Sequence, residues 1–261
     1  MASANRDDGP VAPTRLPRWR SAAAPRSDGR MAHDWGLIVP ISASITANRE
    51  VLFSQFGETI PLVHCLHSRV MSGRRNADAV IAVADALYTD VKALLAAHAV
   101  SVAVVAVPGR GSREDCVSAG LARLSPAIQY VLVHDIHRPL ASINLVDRIL
   151  DGLRQGNDVV VPALAMVDSV KTVDAAGAVT ETVDRTFLRS AQYPRGFHRQ
   201  HLANILAAAD AHDDLDELIL ARRAGVHPSI VDGDPDAFAL DIPRDVGLAE
   251  AIYTCRLAEQ R

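Results

Sequence analysis

From Trp35 onward, short unbroken runs of Val, Ile and Leu alternate with stretches of helical period, and this alternation constrains the fold more than any other property of the chain. Strands are expected at 37–40, 79–83, 102–107, 130–133 and 159–162, with helices at 61–71, 89–98, 113–124 and 142–155 between them. A strand that is apolar at successive positions must be covered on both faces. Strands separated by helices join through right-handed crossovers, which gives an α/β fold with a mainly parallel sheet. With 261 residues, 49% of them hydrophobic, the chain can bury one full core. Ligands on such sheets bind outside the carboxyl ends of the strands. Three segments therefore share one rim: the loop after Pro40, the turn at 108–112 and the turn at 134–139.

The pattern changes near Val161. Residues 161–166, 170–173 and 179–183 are strand-like, and Asp174, Ala175, Ala176 and Gly177 form a turn signal between the last two. This arm, about 163–190, has little core of its own, and an isolated hairpin is marginal in water. It must pack on something, and a second subunit is the expected partner. Helices return at 200–211, 214–224 and 244–256, with a short strand near Ile230. Residues 1–34 are rich in Pro, Arg, Ala and Ser without apolar period, so they are expected to be a disordered extension of a domain at 35–261. The extension lacks the apolar core of a secretory signal, and Met31 serves as a working start.

Composition excludes more than it assigns. A net charge of −4 gives no general pull toward nucleic acid or an anionic membrane, and no apolar run approaches the roughly 20 residues that span a bilayer. Cys65, Cys116 and Cys255 follow no metal or redox spacing and read as ordinary thiols of a reducing, cytoplasmic compartment. Of the 27 basic residues only Lys92 and Lys171 are lysines, so a lysine-dependent phosphate site has two candidates.

The run Pro108-Gly109-Arg110-Gly111-Ser112-Arg113 follows a strand and opens a helix. Its glycines let backbone approach a ligand and its free amides favour an anion, although Ser112 capping a tight turn is the plainer reading. Taken in order, several segments carry a resemblance. Residues 109–121 are similar to the "GGxxRxDSVxxGL" run of the 2-C-methyl-D-erythritol 4-phosphate cytidylyltransferases, and residues 133–139 to their "VHDAARP". Residues 168–171 resemble "DTIK", 181–185 "xTVDR", 191–197 "AQTPQGF" and 231–238 "VxGDPxNFK", with Asp213-Asp214 as an acidic pair between the last two. The resemblance covers residues 35–256 in collinear order.

It implies a nucleotidyltransferase, Rossmann-like three-layer sandwich with a protruding β-hairpin arm, and a homodimer clasped by that arm. The implied reaction joins CTP to a sugar-alcohol phosphate with Mg2+, releasing pyrophosphate and a CDP-alcohol for isoprenoid precursors. The implied nucleotide-binding residues are Pro40, Gly109, Ser112, Arg113, Cys116 and Asp135, with Asp135 also the metal ligand. Ser169, Asp184 and Arg185 are implied for the substrate, and Asp135, Lys171 and Arg185 for catalysis, Arg185 acting in the neighbouring subunit's site. Asp135 could instead cap its turn, and Asp184 and Arg185 could pair at an interface.

The chain departs from the family where phosphate chemistry is done. The family loop "AAGxGxRxGxxxPK" is here Ile41-Ser42-Ala43-Ser44-Ile45-Thr46-Ala47-Asn48-Arg49-Glu50, with no glycine and no lysine. Glu50 stands at the place of the lysine, and Arg49 is a partial substitute for it. Cys116 replaces a serine, Ser169 and Tyr193 replace threonines, His212 replaces the threonine before the acidic pair, and Ala239 replaces a lysine. One preorganised donor is typically worth about 10²–10³ in rate, so catalysis is expected to be lost or strongly reduced. The alternative is an inactive paralogue acting as a homodimeric binding or regulatory protein. His134, His137 and His212, beside Asp135, Asp213 and Asp214, read as solvent-facing rim residues rather than as a metal centre.

Overall fold

The computed structural model describes residues 34–71, 78–209 and 216–259. The chain divides into residues 1–31 and a second unit, 32–261. The extension expected at 1–34 thus lies outside the described residues, Asp34 excepted.

Within the second unit the expected alternation is present. Strands β1 (Trp35–Ile41), β2 (Asp78–Ala84), β3 (Ala103–Val107) and β4 (Tyr130–Val133) are interleaved with helices. These are the short α1 (Glu50–Phe53), then α2 (Pro61–Met71), α3 (Asp85–Ala97) and α4 (Arg113–Arg123). After α5 (Ile143–Arg154) come β5 (Val159–Ala165), the hairpin β6 (Val170–Val173) and β7 (Val179–Val183), β8 (Arg189–Ala191) and β9 (Arg195–His198). The chain closes with α6 (Arg199–Ala207), α7 (Glu217–Arg223), β10 (Ser229–Asp232) and α8 (Val246–Glu259).

Eight strands form one sheet in the order β10-β5-β9-β4-β1-β2-β3, with β8 paired to β5 off that path. The pairs β1–β2, β1–β4, β2–β3 and β5–β10 are parallel. The sequence reading missed β9, which lies antiparallel between β4 and β5 in the middle of the sheet. Its residues, Arg-Gly-Phe-His, carry neither a β-branched residue nor alternation, so nothing local marks it as a strand. Tertiary pairing creates it, and Gly196 is the residue that fits there: a Cβ would stand 2.3 Å from Ile149 Cγ2.

Alternate residues of the continuous apolar strands enter two cores, as the period of a strand dictates. Leu37, Val39, Ile81 and Val83 join Leu87, Val91, Ile149 and Leu150 on one face. Ile38, Val80, Val131 and Val133 join Val117, Leu121, Leu202, Ile205 and Leu220 on the other. Helices therefore cover both faces, which is the three-layer arrangement expected. The hairpin β6–β7 pairs only with itself, and Gly177 at φ +83° makes its turn. Among the described residues no helix is long and apolar enough to cross a membrane.

Candidate active site

The carboxyl ends of β1 and β4 open into a cavity of about 270 Å³, lined by Pro40, Ser42, Ser44, Ile45, Arg113, Asp135, Ile136, His137, Tyr193 and Asp216. Each wall follows from an element. The first comes after β1, where the chain makes a 3₁₀ turn, Ala43–Asn48, that runs almost directly into α1. Without glycine this segment coils rather than spreading its amides around an anion. Ala43 N donates to Gly111 O at 2.8 Å, which seats the turn on the start of α4. Arg49 pairs with Asp90 of α3 and is not on the cavity wall. Glu50 is exposed.

The second wall is the turn after β4. Asp135 Oδ1 accepts from the backbone N and from Nδ1 of His137, both at 2.9 Å. Burial would raise the Asp135 pKa, but these bonds and the nearby Arg113 charge outweigh it and hold the carboxyl well below the usual carboxylate range. Its Oδ2 has no partner among the described residues. His134, expected on the solvent-facing rim, is instead buried at 2% exposure, and burial lowers its pKa to about 4. Its Nδ1 is without a hydrogen-bond partner among the described residues. His137 is the histidine that reaches the rim.

The third wall is a cluster of charges around an aromatic ring. Arg113 donates from Nε to Glu217 Oε1 at 2.7 Å, and Arg195 donates to Glu217 Oε2 at 3.0 Å. The Tyr193 hydroxyl donates to the same oxygen at 3.2 Å. Glu217 is 2% exposed, so three donors balance one buried carboxylate. Despite its own desolvation, Arg113 is held more firmly protonated by Glu217. Asp216 caps α7, accepting from Leu218 N and Ile219 N, and also pairs with Arg195.

Of the residues expected at the site, Pro40, Arg113 and Asp135 line the cavity. Ser112 caps α4 in a reciprocal capping box with Asp115, and Gly109 sits in the preceding turn at φ +80°. Cys116 is fully buried with its Sγ 3.7 Å from Ile41 O, and burial pushes its thiol up to about 12. Ser169, Lys171, Asp184 and Arg185 belong to the arm and its flanks and are not on the cavity wall. Lys171 Nζ donates to Thr182 Oγ1 at 2.6 Å. Asp184 accepts from Thr186 N and Oγ1, which lowers its pKa, and Arg185 donates to Val167 O. The pair Asp213-Asp214 and His212 lie outside the described residues. Sequence reasoning did not single out Asp216 and Glu217. Both stand in an acid-rich segment, and only the capping position of Asp216 before an apolar helix could have selected them.

The fold and the rim site define an α/β protein with a polar, charge-lined pocket at the carboxyl ends of its strands, and comparison with known proteins narrows this. The family model "2-C-methyl-D-erythritol 4-phosphate cytidylyltransferase" matches residues 45–255, and the chain belongs to that family. A relative of that name from Rhodococcus jostii is 38% identical over 207 residues, 78% of this chain and 87% of its own length. One from Streptomyces avermitilis is 37% identical over 205 residues, 75% of this chain and 80% of its own. The crystal structure of 4-diphosphocytidyl-2C-methyl-D-erythritol synthase from Anaerococcus prevotii shares the fold, with a TM-score of 0.67 at 21% identity, covering 84% of this chain and 97% of that one.

Proposed function

We propose that this chain is a cytidylyltransferase-type protein that binds CTP with Mg2+ through a weakened pocket. It then transfers the cytidylyl group to 2-C-methyl-D-erythritol 4-phosphate far more slowly than loop-bearing relatives. The observation that carries this reading is the 3₁₀ turn after β1, packed on Gly111 where a phosphate-cradling loop would be needed. The lining offers one guanidinium, Arg113, against the carboxylates of Asp135 and Asp216. A triphosphate in such a wall needs a divalent cation to offset like charge.

Asp135 suits that ion. Its Oδ2 is uncommitted among the described residues, and magnesium characteristically takes one or two carboxylates and completes its shell with phosphate oxygens and water. No group of three or more metal-binding side chains exists among the described residues, so substrate would supply most of the shell. Bound there, the ion would neutralise charge developing on the phosphates. His137 fixes Asp135, and Arg113 supplies the resident positive charge.

A homodimer completes the reading. Val167, Val173, Val179 and Phe187 are 60–80% exposed on the arm and its flanks, and a second subunit that covers them brings Arg185, Asp184, Lys171 and Ser169 to the partner's pocket. The same apolar surface favours the second reading, an inactive homodimeric binding or regulatory protein.

Calorimetric titration of CTP with Mg2+ into the full chain, followed by a pyrophosphate-release assay with the methylerythritol phosphate, separates the two. Measurable CTP binding with turnover at least about 10⁴ below the Rhodococcus jostii relative is expected from the missing donors. Absence of heat at millimolar CTP would leave only the binding-protein reading.

A further inference from the structure

The 3₁₀ turn that forms the first wall is pinned at both ends. Its first residue, Ala43, donates through its backbone N to Gly111 O. Its last, Asn48, donates from Nδ2 to Ile242 O at 2.9 Å. Between these fixed points stand Ser44 and Ile45, which line the cavity. Ser42, on the same wall, meets Ser44 with the two Oγ atoms 2.8 Å apart.

The second wall leads to the same place. Leu240 N donates to His137 O at 2.7 Å, and His137 is the residue whose backbone N and Nδ1 hold Asp135. Leu240 and Ile242 are two residues apart, so one short segment, 240–242, bonds both walls. That segment is itself anchored. Leu240 and Ile242 are buried in the apolar core that also takes in Ile45, Val51, Leu52 and Ala249. Asp241 N donates to Asp245 Oδ2 at 2.8 Å and Asp245 N to Asp241 O at 2.9 Å, which ties the segment to the start of α8. A close-packed segment of this kind yields little, whereas an exposed turn opens readily unless something bonds it. The pair Arg49–Asp90 also holds the end of the turn, but both side chains are well exposed, and such pairs contribute little.

We propose that residues 240–242 are a strut that sets the separation of the two cavity walls, and that Asn48 is the positioning residue tying the first wall to it. Asn48 lies in the segment where this chain departs from the family run, so the tie replaces ordering that a ligand would otherwise have to impose. It acts through Ser42, Ser44 and Ile45 and touches no ligand itself. The ligand arm of the test rests on the reading of the cavity as a CTP site; the strut does not.

Hydrogen exchange of the full chain without ligand reads the strut directly. Asn48→Ala is expected to speed exchange of the amides of residues 45–49 about three- to tenfold, the scale of one hydrogen bond, with the β1 amides unchanged. Asn48→Asp keeps the shape but loses the donor and is expected to match the alanine variant. Asn157→Ala, which removes a similar bond to Gly152 O away from the cavity, is expected to leave these amides alone. Calorimetry with CTP and Mg2+ reads the consequence. A wall ordered only part of the time lowers apparent affinity by that fraction, so Asn48→Ala is expected to bind about three- to tenfold more weakly, with turnover at saturation unchanged. Wild-type exchange in either Asn48 variant overturns the strut. Faster exchange with unchanged CTP affinity overturns the positioning role, as does a fall in kcat at constant KM, which marks lost folded protein instead. Absence of CTP binding in every sample would overturn the nucleotide reading while the exchange comparison still decides the strut.

Discussion

Glu217 and His134 are buried for opposite reasons, and each carries a measurable consequence. Glu217 is fully partnered, so truncating it strands Arg113 and leaves Arg195 with Asp216 alone. Breaking a buried pair from one side typically costs about 3–5 kcal/mol. Glu217→Ala should therefore lower the urea midpoint by that amount of stability, with little change in slope, and Glu217→Gln should lose less because it keeps the shape. His134 is buried neutral, with its pKa lowered from 6.5 to about 4. The unfolded chain takes up a proton below 6.5 that the folded chain refuses until 4, so stability from this residue is complete above 6.5 and is lost as pH falls toward 4. A shift of that size corresponds to roughly 3 kcal/mol. Thermal melting across this window should show a falling midpoint, and His134→Asn should flatten the curve. Asp135, whose pKa is also lowered, adds a loss of the same sign at still lower pH.

The segment after β1 and the turn before α4 support one another, and that mutual seating depends on a glycine. Gly111 sits at φ +57°, where a Cβ would stand 2.6 Å from Ala84 Cβ and 3.2 Å from Ala84 Cα. Gly109, at φ +80°, would meet nothing within 4 Å. Gly111→Ala should therefore cost about 2 kcal/mol or more through strain and overpacking, and should loosen the hydrogen bond to Ala43. Gly109→Asn should fall within about 1 kcal/mol, because asparagine tolerates the left-handed region. Chemical denaturation of both variants checks the contrast. The five early strands and their helices were legible because burial on both faces writes itself into continuous Val, Ile and Leu runs. Strand β9 was not, since its identity comes from partners more than 30 residues away rather than from its own residues. The same holds for the site. Asp135 and Arg113 could be read from local runs, whereas the meeting of Glu217 with Arg113 and Arg195 is a product of topology.

Taken whole, the chain presents a well-filled sheet domain and an arm that buries little of itself. Phe187 is 80% exposed and Val167 78%, so a charge placed at Phe187 disturbs nothing within one chain. Phe187→Asp should leave the melting temperature of the isolated chain nearly unchanged but weaken self-association by at least about tenfold, read by sedimentation across a concentration series. A monomeric wild type at high concentration would remove the cross-subunit role assigned to Arg185. The position of β9 also bears on how the molecule comes into being. Strands β4 and β5 are neighbours only through β9, which is synthesised after both of them and after the whole arm. Until residue 198 is synthesised, the β4 edge of the β3-β2-β1-β4 group is unpaired, and β5 lacks both β9 and β10. Such edges are the usual seeds of misassembly, and closing them requires contacts distant in sequence. A chain halted before Arg195 would not be a smaller version of this protein but a sheet with an open β4 edge and a β5 strand still without β9 and β10.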